Sequence, residues 1–432
     1  MEFSLSRHEH KPLQVNPIKH SQPMGATLAY LGVKDCMPLM HSAQGCASYT
    51  KVFFTRHFNE PIAIRNTSVS DITAVLDGGD YSILMAIENI QGKEKSLKPS
   101  MIGLHTTGLT ETKGDDVRGV GIHIEIPYVY VNTPDYEGGM ESGWALTVTA
   151  IIEQLTQPTT AVKPNKLVLL PNVSMQPIEI EKIKCLCEDF GFETYALPDL
   201  STSLDGYWEE GQGKLANGGI TVDQIRDLAT SATVVTIGES MKKPAAALLG
   251  KNPELFHLHF DHVMGLEGCD NFVAALMKIR QTEPKPLVKR WRARLQDAML
   301  DTHFLIGSSH FVVTGEPDML AGICELLHSV GGTVDAAVAT TYSEVLKTVK
   351  ADNVFVGDLE DARRFFDRAD MVISNFHAER ILHSYHHTAL VIRGFPNYEE
   401  LGNPLKNDQL YEGSTYFLFE IANALRKVKH EH

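Results

Sequence analysis

A cysteine at a strand-to-helix turn is a place where metal chemistry can be built, and residues 35–61 (DCMPLMHSAQGCASYTKVFFTRHFNEP) contain one. Met37–Met40 is a short apolar run suited to a buried strand. Ser42-Ala43-Gln44-Gly45 is a small-residue loop, and the stretch from Ala47 to His57 places Tyr49, Val52 and Phe53 at helical spacing. Cys46, next to Gly45, thus falls where free N–H groups and the positive end of a helix dipole stabilise a thiolate. Soft thiolates suit iron–sulfur or zinc chemistry. A cysteine near an apolar element is also commonly a small buried hydrophobe, and the spacing leaves both readings open.

A second candidate is His257-x-His259-x-Asp261-His262. On a strand His257 and His259 share a face with Asp261 following, a set that zinc or iron accepts. Without cysteine or glutamate partners at metal-site spacing, the preferred reading is a strand end with exposed histidines. The six cysteines (Cys36, Cys46, Cys185, Cys187, Cys269, Cys324) form no C-x-x-C. On a helix, Cys185 and Cys187 point about 200° apart. Cys36, lying before the apolar run, reads as structural. An iron–sulfur cluster takes about four thiolates, so a cluster bound through Cys46 needs ligands from another chain. No P-loop, G-x-S-x-G or strand-following G-x-G-x-x-G occurs, and Gly119-x-Gly121 lacks the third glycine. Asp115-Asp116 and Glu360-Asp361 read as exposed caps.

The chain has 432 residues, 43% apolar and 22% charged, an ordinary globular balance with room for about three domains. A net charge of −15 argues against nucleic acid or an anionic membrane as partner. No apolar run reaches membrane-span length, and the first residues lack the apolar core of a secretion signal. A cytoplasmic protein is expected.

The elements that must position Cys46 alternate between short apolar runs and amphipathic stretches, the pattern of βαβ units with parallel sheets. Ligands in such sheets gather at the carboxyl ends of strands. The loops bearing Cys46 and Gly108 both follow strands, so one edge can present both. The polar linker at residues 157–165 divides an N-terminal βαβ domain (1–160) from a second Rossmann-like domain (161–285). A third domain (286–400) opens with a helix carrying Lys289, Arg290, Arg292 and Arg294, read as a solvated face. Residues 401–432 form a helical tail packing back on the body, and residues 1–20 an extended arm. Thr221-Val222-Asp223-Gln224 is a capping box, and Gly191 is placed to end a helix. The expected class is α/β, with three Rossmann-like doubly wound domains and mostly parallel sheets.

Several blocks resemble the nitrogenase component 1 β-type family, and in particular its cofactor-assembly branch. They are residues 16–25 (NPIKHSQPMG), the Cys46 stretch, 132–144 (NTPDYEGGMESGW), 197–206 (LPDLSTSLDG), 295–304 (LQDAMLDTHF), 357–361 (GDLED), Gly394-Phe395-Pro396 and 419–423 (FEIAN). They run in order over nearly the whole chain. The family's catalytic β-subunits place three cysteines at a P-cluster half-site, and the resemblance puts Ser21, Cys46 and Gly108 at those positions. A hydroxyl and a glycine cannot replace two soft ligands. The resemblance therefore implies a scaffold subunit whose Cys46 completes an interface 4Fe–4S cluster with three cysteines of a NifE-like α-type partner, in an α2β2 heterotetramer. Gly45 and Gly108 would line that cluster. The partner would hold an iron-only precursor of the iron–molybdenum cofactor, received from a precursor-cluster donor. The nitrogenase iron protein would dock nearby, deliver electrons and help insert molybdenum and homocitrate. Ser42-Ala43 departs from the family's usual Gly-Ser, but both pairs are small, so the loop is expected to persist. The alternative is a subunit of a catalytic nitrogenase-like reductase, of nitrogenase or protochlorophyllide/chlorin reductase type. In either case any reductase activity belongs to the assembled complex.

Overall fold

The computed structural model describes residues 15–69, 79–92, 98–208, 215 and 217–431. Its short apolar runs form three mostly parallel sheets, each with helical crossovers between its strands. Strands buried on both faces need no polar alternation, which is why they appear in the sequence as plain apolar runs.

In the first sheet, β1 (Cys36–His41), β2 (Arg65–Asn66), β3 (Met101–Thr106) and β4 (Tyr128–Val131) lie in the order β2-β1-β3-β4. Both β1 and β3 are buried along their whole length. They pair from Cys36 with Met101 through His41 with Thr106, so their carboxyl ends finish level. Val131, at the end of β4, pairs with His105. The loops leaving β1, β3 and β4 are therefore neighbours.

In the second sheet, β5 (Lys163–Pro171), β6 (Glu193–Ala196), β7 (Ser231–Ile237) and β8 (Phe256–Phe260) lie in the order β6-β5-β7-β8. Thr221 accepts from the Gln224 N–H while the Gln224 side chain accepts from the Thr221 N–H, completing the expected capping box. Gly191, at φ 82°, follows the Pro177–Asp189 helix in the left-handed region that a side chain disfavours. The helices Gln22–Leu31 and Met140–Leu155 cross at glycines. A Cβ on Gly25 would lie 2.0 Å from the Met140 carbonyl oxygen, and one on Gly143 would lie 2.1 Å from that of Gln22. From the second of these helices Trp144 donates to the Pro171 carbonyl at 2.9 Å, tying it to β5.

Residues 21–259 with 401–406 form one compact unit that holds these two sheets, and residues 260–400 and 407–432 with the described part of the first twenty form the other. In that second unit β9 (His310–Gly315), β10 (Thr333–Ala339), β11 (Val354–Val356), β12 (Met371–Ser374) and β13 (Ala389–Ile392) lie in the doubly wound order β11-β10-β9-β12-β13. Ile18 is buried with Val312, Val338 and Phe366. Asn16 donates to the Gly357 carbonyl and Asn375 to that of Pro17, which anchors the described part of the expected arm. The terminal helix Leu410–Glu431 packs on the helix Pro286–Ile306 and on β13. In the basic helix, Arg292 forks onto Asp270 at 2.8 and 2.7 Å and Arg294 lies 4.3 Å over Trp291. No described helix is long and apolar enough to cross a membrane.

Candidate functional site

Cys46 sits in the first turn of the helix Gln44–Phe58, which begins earlier than its apolar spacing predicts, directly after the extended Ala43. Its thiol is exposed. A Cβ built on Gly45 would meet nothing within 4 Å, so the space beside the thiol is open. The expectation of a helix-stabilised thiolate is corrected here. Partial burial, and then the Asp135 carboxylate, push the Cys46 thiol above its ordinary value. It is therefore protonated at neutral pH, and a metal arriving there displaces a proton. Cys36, Cys187, Cys269 and Cys324 are buried, and Cys185 is exposed on the Pro177–Asp189 helix.

Gly108 follows β3 on the same edge. Its N–H donates to Asp135 Oδ1 at 2.8 Å, from the loop that follows β4. A side chain at Gly108 would press on the Tyr136 ring, at 3.2 Å from Cβ. An open depression of about 690 Å³ is lined here by Gly108, Leu109, Thr112, Lys113, Asp135 and Tyr136. Burial raises the Asp135 carboxyl above the usual range. Ser21, the third expected position, is the N-cap of the helix Gln22–Leu31 and makes no side-chain capping bond. Its place brings a hydroxyl, not a thiol.

Beneath the Cys46 loop lies a polar network that sequence reading missed. His41 is wholly buried at the end of β1, with Nδ1 2.8 Å from Thr67 Oγ1 and Nε2 2.9 Å from Asp115 Oδ2. Asp115 Oδ1 accepts the Gly79 N–H at 3.1 Å and lies 3.4 Å from Lys113 Nζ. Asp115 is thus no exposed cap, whereas Asp116 is exposed and accepts from the Gly119 N–H as a cap does. Burial pulls the His41 ring below the ordinary imidazole value despite Asp115. No local pattern links residues 41, 67 and 115. The parallel register brings them together.

The helix bearing Cys46 buries Ala47, Thr50, Phe54, His57 and Phe58. The face recognised from spacing points outward instead, with Tyr49 70% and Val52 52% exposed. Leu109, 50% exposed, and Tyr136, 65% exposed, add apolar surface near Gly108.

In the second candidate set, His257 and His259 do share a face, with rings 6.4 Å apart. They are half-buried rather than exposed, because Thr236 Oγ1 on the neighbouring β7 meets His257 Nε2 at 3.0 Å and His259 Nδ1 at 2.9 Å. His262 is instead largely buried, its Nδ1 accepting the Met264 N–H.

The chain belongs to the family of nitrogenase component 1 type oxidoreductases, whose model matches residues 21–426. Among its relatives, the nitrogenase iron-molybdenum cofactor biosynthesis protein NifN of Rippkaea orientalis is 38% identical over 98% of this chain and 96% of its own length. NifN proteins of Mesorhizobium japonicum and Klebsiella pneumoniae are 35% and 34% identical, covering 92% and 93% of their lengths. A solved chain of nitrogenase Cp1 at pH 6.5 superposes with a TM-score of 0.91 at 26% identity, over 98% of this chain and 96% of that one.

Proposed function

We propose that this chain is the β-type subunit of a scaffold on which the nitrogenase iron–molybdenum cofactor is matured from an iron-only precursor. The observation that carries the reading is the single exposed soft ligand on this edge, Cys46, flanked by the open space at Gly45. The positions matched to the other two half-site ligands hold Ser21 and Gly108. The names borne by relatives of matching length support the same reading.

The donor set fits one corner of a 4Fe–4S cluster, the other ligands coming from a NifE-like α-type partner in an α2β2 heterotetramer. A cluster held there supplies one-electron relay. This chain's part is to present the thiol, to leave room at Gly45 and Gly108, and to exclude water once the partner covers Tyr49 and Val52. A buried thiolate site away from water sharpens electrostatic control of the bound group. The partner holds the precursor delivered by its cluster donor, and the nitrogenase iron protein docks near the relay. A catalytic reductase subunit of P-cluster type does not fit, because such a half-site needs three thiolates from its β-type subunit and this chain offers Cys46 alone at those positions.

The test is anaerobic co-purification with the NifE-like partner, followed by iron counting and EPR, for the wild type and Cys46→Ala. An intact complex that loses the interface-cluster signal supports the reading. Unchanged iron and an unchanged spectrum would remove Cys46 from the site.

A further inference from the structure

With the His41 ring neutral, as its burial favours, the network under the Cys46 loop has one arrangement that satisfies all its hydrogen bonds. A carboxylate only accepts, so His41 must donate from Nε2–H to Asp115 Oδ2, at 2.9 Å. A neutral ring then accepts at Nδ1, and Thr67 must donate its hydroxyl hydrogen there, at 2.8 Å. That leaves the Thr67 oxygen to accept the Ser42 N–H, at 3.2 Å. The direction is fixed from the Ser42 amide, through Thr67 and His41, to Asp115. Asp115 is itself held by the Gly79 N–H. The same strand end is clasped from the other side, because the Thr107 and Thr110 hydroxyls both donate to the His41 carbonyl, at 3.1 and 3.0 Å. The Val69 N–H donates to the Ser42 carbonyl at 3.0 Å, so both backbone groups of Ser42 are held by the 67–69 segment.

We infer that Thr67, His41 and Asp115 are positioning residues for Cys46: they fix residue 42, at the start of the turn from which the thiol is presented. The assignment rests on the reading of Cys46 as a cluster ligand, and the three residues act on it through the backbone of the turn rather than by bonding the thiol. Ser42 is followed by a single residue before the helix begins, so movement at its amide passes directly into the first helical turn. The fully buried ring and fixed bond direction leave few alternative arrangements for that start.

Thr67→Val keeps the shape and removes the hydroxyl, while Thr67→Ser keeps the hydroxyl. In the full chain without partner, amide exchange at residues 42–46 is expected to rise about tenfold or more in Thr67→Val, the loss of one buried hydrogen bond, and to stay near wild type in Thr67→Ser. Asp115→Asn is the second variant, for use if Thr67→Val does not fold. Asn has one acceptor oxygen where Asp115 serves two N–H donors, so the Gly79 or the His41 bond is lost, the support under Thr67 loosens and exchange is again expected to rise. On the complex, Thr67→Val should alter the line shape of the cluster EPR signal and Thr67→Ser should restore it. Exchange rates equal to wild type in both Thr67→Val and Asp115→Asn would overturn the inference. So would an EPR line shape unchanged in Thr67→Val. The Cys46→Ala comparison separately decides whether the thiol binds the cluster.

Discussion

Cys46 and Cys185 are the two exposed thiols, and the other four cysteines are buried. Burial lifts the Cys187 and Cys324 thiols far above neutrality, which further suppresses their nucleophilic form. In the free chain, alkylation followed by mass spectrometry should therefore label positions 46 and 185. Adding the NifE-like partner should protect Cys46 and leave Cys185 reactive. Protection of Cys185 alone would move the partner's footprint to the other sheet and undo the proposed interface. The thiol's elevated pKa also bears on assembly. Cluster binding at Cys46 competes with a proton, so loading should improve as pH rises toward the thiol's ordinary range.

At the scale of elements, Arg393 shows how the second unit is fastened. It directly follows β13 and forks onto Asp408 at 2.6 and 3.0 Å, reaches Glu420 on the terminal helix, and lies 4.4 Å over the Phe417 ring. Removing one partner of a buried ion pair leaves uncompensated charge and costs about 3–5 kcal/mol. Arg393→Met is thus expected to lower the unfolding midpoint of that unit, read by urea titration. An unchanged midpoint would show that helix burial alone holds the tail. The crossing at Gly25 and Gly143 does the corresponding work in the first unit, by backbone approach rather than charge.

For the whole molecule, the buried histidines predict acid sensitivity. Burial first, and then His377, lower His20 to about 4, and burial lowers His105 to about 3. The unfolded chain protonates these rings below about pH 6.5, while the native chain does not. From there downward the unfolded state binds more protons, so stability falls with pH, by up to about 1.4 kcal/mol per unit for each ring. Above that pH the two rings contribute no slope. Since one ring lies in each unit, both should weaken. Urea midpoints measured between about pH 7 and pH 5 test this before most carboxylates titrate. A flat profile over that range would contradict it.

Consecutive residues were enough for the α/β class, the buried strand at Met37–Met40, the capping box at Thr221 and the solitary place of Cys46. Each of these depends on local periodicity, turn chemistry or side-chain type, which are written in consecutive residues. Which side of the Cys46 helix is covered was settled by packing. Periodicity identifies Tyr49, Val52 and Phe53 as a face, yet Ala47, Thr50 and Phe54 are the buried side, because coverage depends on what packs there. Asp115 likewise read as a surface cap and became the buried acceptor for His41, 74 residues away. Asp135 came to hold Gly108 through the order of β1, β3 and β4. Such contacts follow from sheet order and register, which bring distant segments level at one edge, and no spacing along the chain encodes them.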